Sequence, residues 1–455
     1  MPPRLPTASL VAATAAALGV VALVASPDAA AAQQPTLALV GGRVLDGYGG
    51  PVLENGTVLI AGERIVAVGP AAQVRVPPGV RVIDANGMTV LPGLCDMHVH
   101  LQLLGHGDYR RWHELYGEDQ ERIMAIAARQ LLESGVTCAR DLGGPLEELV
   151  ATKRRIAEGE IPGPRLFISG PFLQRAPYED YEERFRWGVD GAADAAAKTR
   201  RLLDAGVDVI KLIDQDQLTG EEVAAIVRTA HAAGKPVVAH AHRMDEIRVG
   251  LEHGVDNFEH TGLGTAPGYA PDVLQALRER NAGLWWTPTI SPLYVMQYTG
   301  EVFPERLDDP SWHLGMEAEM SSEIRASLEH IPWLPYYALF PSRIPRLPQK
   351  FAQLRETGVR MLVGTDSGIP SMFHTDSTWR EMVKWVELGV PAMETIQSAT
   401  LWPGRFFRRD DLGTLAPGSL ADVIAVRGDP LTDMSVLRRV DVVVKGGAVV
   451  KGGGR

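Results

Sequence analysis

Cysteine is scarce in this sequence, with two residues, Cys95 and Cys138, in a chain of 455. A disulfide-rich scaffold, which small secreted domains use in place of a large core, is therefore excluded. Both cysteines fall in segments that predict buried strands. We expect two buried free thiols, with a bridge between them as the alternative.

Basic residues are also fewer than acidic ones. The chain has 45 Lys and Arg against 56 Asp and Glu, a net charge of −11. No basic patch is present that could follow a phosphate backbone, so no nucleic-acid partner is expected. The composition, 45% hydrophobic and 22% charged, is typical of a folded protein rather than a disordered one.

Long apolar runs are missing except near the N-terminus. Arg4 supplies a short basic region, residues 10–25 are apolar and rich in alanine, and "SPDAAAAQQ" offers a cleavage site after Ala32. This pattern predicts a signal peptide at 1–32 of a bacterial protein that is secreted or periplasmic, without stable membrane contact after cleavage. An uncleaved membrane anchor is the alternative, because the run approaches the lower length limit of a span.

Short apolar runs between Gly and Pro turns occupy both ends of the chain, as in "GTVLIAGERIVAVG" and "VDVVVKGGAVVKGG". This spacing is typical of antiparallel β structure. Because the termini of a protein often lie close together, we predict one small β-sandwich domain built from residues 33–92 and 412–455. It would flank a longer middle region, residues 93–411.

In the middle region, apolar runs alternate with amphipathic helical stretches, which favours βα units and a parallel sheet. Such a repeat predicts an α/β fold, a (β/α)₈ TIM-like barrel. The eight strand candidates are 93–98, 136–140, 165–169, 207–213, 236–240, 256–260, 283–289 and 360–366.

The loop after the seventh candidate strand, residues 291–345, is unusually long and rich in Trp, Tyr, Pro and Phe. Loops of this length are usually functional lids or disordered segments. The aromatic content favours a lid.

Polar residues capable of binding metal lie in or at the ends of several predicted strands. Because a barrel builds its active site at the C-terminal ends of its strands, we expect these residues to share one rim. Residues i and i+2 of a strand point the same way, so both histidines of "HVH" can reach one ion. For any single histidine, a structural hydrogen-bonding role is the alternative. The candidates are His98, His100, Lys211, His240, His260 and Asp366.

Lys211 is the anomaly among them, because "VDVIKLI" predicts a strand that is apolar on both faces. Burying an unpaired ammonium group is costly or forces it to become neutral. The plain alternative is that the ammonium group leaves the barrel or pairs with Asp208 or Asp214.

The motifs "LPGLCDMHVH", "VIKL", "VVAHAHR", "NFEHTG" and "VGTDSG" resemble the metal-dependent amidohydrolase superfamily. They are similar in particular to the imidazolonepropionase-like branch, which contains binuclear Xaa-Pro dipeptidases, carboxypeptidases and ochratoxin-hydrolysing amidases. The resemblance runs from about residue 36 to 450 and includes "LGTLAPGSLADVIAVRGDPL" near the C-terminus.

This resemblance implies a centre of two divalent ions, with zinc as the expected metal. Lys211, converted by CO₂ to a carbamate, would bridge the two ions, which would explain its burial. Asp366 would be the catalytic base and then acid. The implied ligands are His98, His100 and Asp366 for one ion, His240 and His260 for the other, and Lys211 for both.

Two further residues are implied as substrate contacts. His242 follows the predicted ligand His240 in "AHAH" and would border the substrate. Relatives often have glycine where this chain has Arg243. Arg243 could pair with a substrate carboxylate through two parallel hydrogen bonds, and a solvent-exposed arginine is the alternative.

The predicted function is a binuclear metal-dependent amidohydrolase. It would cleave C–N amide bonds of dipeptides or N-acyl amino acids by attack of a metal-bridging hydroxide. Hydrolysis of a cyclic amide, a lactone or a phosphoester by the same centre is the alternative. A non-catalytic binding protein on this fold is a further alternative, although such a protein should have lost ligands. The expected partner is a small-molecule or dipeptide-like substrate, and a homo-oligomer is left open.

Overall fold

The structure, a computed structural model, describes residues 34–261, 264–298, 304–329 and 337–453. The predicted signal peptide at 1–32 lies outside these residues, as do two parts of the predicted lid, 299–303 and 330–336. No helix of the described ranges is both long enough and apolar enough to cross a bilayer.

Strands are concentrated at both chain ends and recur through the middle. In chain order they are β1 (Leu37–Val44), β2 (Leu53–Ala61), β3 (Arg64–Pro70), β4 (Arg81–Asp84), β5 (Met88–Pro92), β6 (Leu94–Val99), β7 (Val136–Asp141), β8 (Arg165–Ile168), β9 (Phe172–Gln174), β10 (Arg186–Gly188), β11 (Ile210–Leu212), β12 (Val237–His240), β13 (Asn257–Glu259), β14 (Trp285–Thr287), β15 (Arg360–Met361), β16 (Val423–Arg427), β17 (Val440–Lys445) and β18 (Ala448–Lys451).

The α-helices lie between β6 and β16, most of them separating consecutive strands. They are α1 (Tyr109–Tyr116), α2 (Gln120–Glu133), α3 (Leu146–Ala157), α4 (Gly191–Asp204), α5 (Gly220–Ala232), α6 (Met244–His253), α7 (Pro271–Arg280), α8 (Ser291–Tyr298), α9 (Ala318–Leu328), α10 (Phe340–Arg343), α11 (Leu347–Glu356), α12 (Ser377–Glu387), α13 (Ala392–Ser398) and α14 (Leu401–Phe406).

Both chain ends contribute to one mixed sheet, with strand order β18-β17-β16-β5-β1-β2-β3 and with β4 paired to β1. The two ends meet where β5 pairs with β16 in antiparallel register, Leu91 opposite Ile424. Val58, Ile60 and Val423 are fully buried in the core of this sheet. The predicted association of the two ends is thus explained by apolar burial.

The middle region forms a closed parallel barrel. One sheet has the order β6-β7-β8 and the other runs β10-β9-β11-β12-β13-β14-β15. The backbone N–H of Asp208 donates to the carbonyl of Ile168 at 2.8 Å, which joins β8 to the segment before β11. On the other side, Met97 N donates to Val363 O at 2.9 Å. The eight βα units therefore close as predicted.

Two strands are shorter than the sequence predicts. β11 covers three residues of the candidate 207–213, and β15 covers two of the candidate 360–366. Val207, Val209 and Val363 are nevertheless buried. An apolar run in the sequence indicates which residues are buried. A strand, however, ends where its hydrogen bonds to the neighbouring strands stop, and the apolar run does not show where that is.

The expectation of two free thiols was wrong, because Cys95 and Cys138 form a disulfide with a Cα–Cα distance of 4.5 Å. They lie on neighbouring strands, β6 and β7, and are directly opposite in the parallel register. That separation falls within the range that a disulfide can bridge. The disulfide forms because the strand register places the two cysteines opposite each other, and their spacing in the sequence does not reveal that register.

Candidate metal centre

The barrel brings the six predicted metal-binding residues to one rim. His98 lies on β6, Lys211 on β11 and His240 at the end of β12. His100, His260 and Asp366 stand in the loops just after β6, β13 and β15. This rim is the C-terminal end of the barrel, where such folds place their chemistry.

Three imidazole rings lie close to the carboxylate of Asp366. Its Oδ1 lies 3.0 Å from Nε2 of His100 and 3.4 Å from Nε2 of His98. Its Oδ2 lies 3.9 Å from Nδ1 of His260. The side chain of Asp366 is 15% exposed, so the carboxylate faces the barrel mouth while remaining among the histidines.

A second group contains three histidines. Ring centroids of His240 and His260, and of His242 and His260, are each 4.5 Å apart. Nδ1 of His240 lies 2.9 Å from Nε2 of His242. A ligand atom of each lies within 4.8 Å of the others, as is also true of His98, His260 and Asp366. His242, expected as a substrate contact, is therefore equally placed to be a ligand.

Lys211 is fully buried, and its Nζ has no hydrogen-bond partner among the described residues. Burial lowers its pKa to about 8. Asp208 and Asp214, the two carboxylates considered as ion-pair partners of Lys211, pair with other residues instead. Asp208 accepts from Lys153 at 2.6 Å and Asp214 accepts from Arg243 at 2.8 Å. Within the described ranges Lys211 therefore forms no ion pair, although the charges of Glu259 and Asp366 act on it from a distance.

The histidines have the protonation state that metal binding needs. Burial lowers the pKa values of His98, His240 and His260 well below the ordinary value, and the charge of Lys211 lowers them further. Neutral imidazole is the form that binds metal. Nε2 of His98 and Nε2 of His260 are buried without a hydrogen-bond partner in the described part of the chain. These orphaned nitrogens, with a carboxylate, fit a divalent ion such as Zn²⁺.

Residues that sequence reasoning missed hold His98 in place. Nδ1 of His98 lies 2.9 Å from Oε2 of Glu259, and Oε1 of Glu259 accepts from Arg140 at 2.7 Å. All three side chains are fully buried. A carboxylate on the far nitrogen of a metal-binding histidine fixes its tautomer and orientation. The available signal was a charged residue in a strand candidate, Glu259 within 256–260 and Arg140 at the end of 136–140.

Two rim residues have strained backbones. His260 has φ 73° and Asp366 has φ 59°, the left-handed region that non-glycine residues adopt uncommonly, with Asp and His among those enriched there. Thr289, whose hydroxyl lies 2.7 Å from Nδ1 of His260, has φ 41°. Such strain is often found at functional sites.

Arg243 is exposed at the rim, and its guanidinium is already in use. Nη2 lies 2.8 Å from Asp214, 2.7 Å from Asp216 and 2.8 Å from Glu246. A substrate carboxylate would have to compete with three internal carboxylates. Its role as a substrate contact stays a prediction, and this arrangement does not support it.

An aromatic cavity of about 100 Å³ adjoins the centre beside His100. Phe172, Tyr181, Phe185 and His113 line it. Such a lining suits an apolar or aromatic substrate group. Phe172, Tyr181 and Phe185 did not stand out in the sequence, because single aromatic residues have no periodic pattern.

Comparison with known proteins gives a consistent result. Residues 89–450 match the sequence model of the Amidohydrolase family. Ochratoxinase of Aspergillus niger is 25% identical over 459 residues, which cover 91% of this chain and 86% of that protein. Adenine deaminase 2 of Rhizobium meliloti (strain 1021) is 24% identical over 386 residues, which cover 82% of this chain. The match spans only 50% of that longer relative.

Among solved structures, a Xaa-Pro dipeptidase with methionine bound in its active site is similar in fold. The TM-score is 0.71 at 26% identity, and the match covers 91% of this chain and 100% of that chain. The similarity extends over both the barrel and the mixed sheet, since it includes nearly the whole of the described chain.

Proposed function

This chain belongs to the amidohydrolase family, and from that premise we propose that it binds two divalent metal ions and hydrolyses amide bonds of dipeptides or N-acyl amino acids. The chain is a hydrolase that acts on C–N bonds. One observation carries the finer proposal: buried Lys211, whose Nζ has no hydrogen-bond partner among the described residues, lies close enough to His98, His240 and His260 for its charge to lower their pKa values. Similarity to a Xaa-Pro dipeptidase supports a dipeptide-like substrate.

Each ion would have its own ligands and one shared ligand. We assign His98, His100 and Asp366 to the first and His240 and His260 to the second, with Lys211 between them. When bound, such ions polarise a carbonyl group and lower the pKa of water. The assignment is supported by the three contacts of Asp366 with imidazoles.

Lys211 would serve as the shared ligand after reaction with CO₂. Its neutral Nζ forms a bond to the carbon of CO₂ and releases one proton, which leaves an anionic carbamate with two oxygens. The pKa of about 8 that burial gives Lys211 increases the neutral fraction near pH 7. Carbamate formation also removes the unpaired buried ammonium, which is costly.

Asp366 would move the proton. Its carboxylate accepts a proton from the attacking water and delivers it to the nitrogen of the leaving amine, as a base that becomes an acid. The position of Asp366 at the mouth, partly exposed and beside His100, suits this transfer. Glu259 would keep His98 oriented during the cycle.

Metal analysis and a substrate screen test the proposal together. Purified protein loaded with Zn²⁺ should contain about two ions per chain and should hydrolyse members of a library of dipeptides and N-acyl amino acids, followed by mass spectrometry. Asp366→Asn should retain fold and lose turnover. Full activity in metal-free protein would overturn the mechanism, and no turnover by the wild type would favour a binding protein.

We also propose that the protein is exported. The segment before residue 33 has the pattern of a signal peptide, and the Cys95–Cys138 disulfide is of a kind that persists mainly in oxidising compartments. N-terminal sequencing of the protein recovered from the periplasm or medium should begin near residue 33. Recovery of the intact N-terminus in the cytoplasm would contradict export.

A further inference from the structure

Arg343, the last residue of α10, carries a positive charge that the described residues leave unbalanced. The residue is half-buried. Its Nε and Nη1 atoms are inaccessible to solvent and have no hydrogen-bond partner in the described part of the chain. Buried charged groups are normally paired, because desolvation without a partner is costly. An arginine of this kind is a candidate for an anion that arrives with a ligand.

Arg343 lies close enough to the second histidine group, His240, His242 and His260, for its charge to act on one of these imidazoles. Its charge is one of those that lower the pKa of His242, after burial as the largest cause. The ring of His242 lies 4.6 Å from that of His240 and 4.5 Å from that of His260. Arg343 belongs to the segment predicted as a lid, residues 291–345.

Lys350 fixes this segment to the rim. It lies on α11, and its Nζ donates to the carbonyl of Gly264 at 2.7 Å. Gly264 N in turn donates to the carbonyl of His242 at 3.0 Å. The loop after His260 is thus attached to α11 on one side and to His242 on the other. Arg343 is separated from α11 by one short turn, Ile344–Arg346, so it belongs to the segment that this connection attaches to the rim.

Two other arginines near the mouth differ from Arg343 because they already have carboxylate partners. Arg243 contacts three carboxylates, as described above. Arg186 lies 3.2 Å from Glu182, and its Nη1 donates to Gln174 at 2.9 Å. Its guanidinium also lies over the ring of Phe172. Either residue would have to give up existing contacts to receive a substrate anion.

We propose that Arg343 binds the free carboxylate of the substrate, so that the enzyme selects amides that carry a carboxylate over their neutral counterparts. This inference rests on the proposed function and deepens it. A guanidinium group matches a carboxylate through two parallel hydrogen bonds. The sequence predicted Arg243 as the residue that binds this carboxylate. The proposal assigns that role instead to Arg343, in the insertion after the seventh barrel strand.

Turnover by matched variants tests this assignment. Zn²⁺-loaded wild type, Arg343→Met and Arg343→Lys are assayed on dipeptides and N-acyl amino acids, each as the free acid and as the C-terminal primary amide. Arg343→Met should lower kcat/KM for the acids by about 10- to 100-fold, as expected for a lost charge-assisted hydrogen bond. Its kcat/KM for the amides should change by less than about 3-fold. Arg343→Lys should retain part of the preference for acids.

Arg346→Met is the matched control, because Arg346 lies three residues further along the chain and, unlike Arg343, is not among the main charges that shift the pKa of His242. It should leave the acid-to-amide ratio unchanged. An equal loss on acids and amides in Arg343→Met, or the same change in Arg346→Met, would overturn the assignment.

A binding measurement separates this proposal from the proposed function. N-acetyl-L-phenylalanine and its primary amide are titrated into metal-loaded wild type and Arg343→Met by calorimetry. Tighter binding of the acid that depends on Arg343 supports the carboxylate site even if no amide is hydrolysed. Hydrolysis without any preference for acids, in turnover or binding, overturns the carboxylate site and leaves the proposed function standing.

Discussion

The carboxylate of Glu259 lies between a predicted metal ligand and a buried cation. One oxygen is 2.9 Å from Nδ1 of His98, and the other is 2.7 Å from Nη2 of Arg140. Arg140 also donates through Nε to the carbonyl of Met97, on the same strand as His98. A single buried glutamate therefore links the orientation of the predicted metal centre to the packing of the barrel interior.

Replacing Glu259 with glutamine should weaken metal binding. The substitution keeps the shape but removes the negative charge that supports His98, and loss of such a partner typically costs 10- to 100-fold, so we expect about that decrease in Zn²⁺ affinity. Chelator competition measures it. Glu221→Gln, at the exposed start of α5, is the control. Unchanged affinity with lowered stability would mean that Glu259 serves only as the counterion of Arg140.

The Arg140–Glu259 pair should show strong coupling in stability. Arg140→Met leaves a buried carboxylate without its cation, which should lower the free energy of unfolding by about 3–5 kcal/mol. The double variant Arg140→Met/Glu259→Leu removes both charges and should recover most of that loss. Urea unfolding of the metal-free proteins measures both values. Simple additivity of the two substitutions would contradict the coupling.

Lys211→Met should abolish most of the activity without lowering the stability of the metal-free protein. Methionine fills a similar volume and removes an unpaired buried amine, so the metal-free variant should unfold at the same or a higher temperature than wild type. The bound metal should fall to about one ion per chain or less, and activity should fall by more than about 100-fold. Native mass spectrometry should also show one added CO₂ in metal-loaded wild type and none in the variant. Two retained ions in Lys211→Met would exclude the bridging role.

Metal-free protein should lose stability in mild acid. The folded pKa values of His98, His240 and His260 are depressed well below about 6.5, the ordinary value. Below pH of about 6.5 the unfolded imidazoles therefore bind protons that the folded ones do not. The free energy of unfolding is unaffected by these groups above that pH and falls as the pH is lowered through it. Urea unfolding between pH 7.5 and 5.5 should show this fall, and His98→Leu should reduce its slope.

The disulfide should contribute to stability without being needed for catalysis. It closes a loop with a sequence separation of 43 residues, for which the chain-entropy relation gives about 4 kcal/mol. Cys95→Ala/Cys138→Ala should lower the free energy of unfolding by about 2–4 kcal/mol. Denatured protein should expose two thiols only after reduction, as measured with a thiol reagent. Two reactive thiols before reduction in protein purified from an oxidising compartment would show that the bridge does not form.

Local pattern was enough to predict the barrel and the metal-competent residues. Alternating apolar runs and amphipathic helices predicted βα units, and the two-residue period of a strand placed His98 and His100 on one side. Lys211 stood out because an ammonium group conflicts with an apolar strand. These inferences depend only on residues that are close together in the chain, so a single sequence is enough to make them.

Contacts between distant segments were decided only by the tertiary structure. Strand register set Cys95 opposite Cys138, barrel closure brought Glu259 to His98, and a hydrogen bond from Lys350 to Gly264 attached the segment that contains Arg343 to the rim. Each pair is far apart in the chain, and which side chains meet depends on how strands align and where loops cross the rim. The sequence therefore determined which groups could bind metal. The fold decided what orients them, and it decided which of two arginines, Arg243 or Arg343, has no carboxylate partner among the residues that the structure describes.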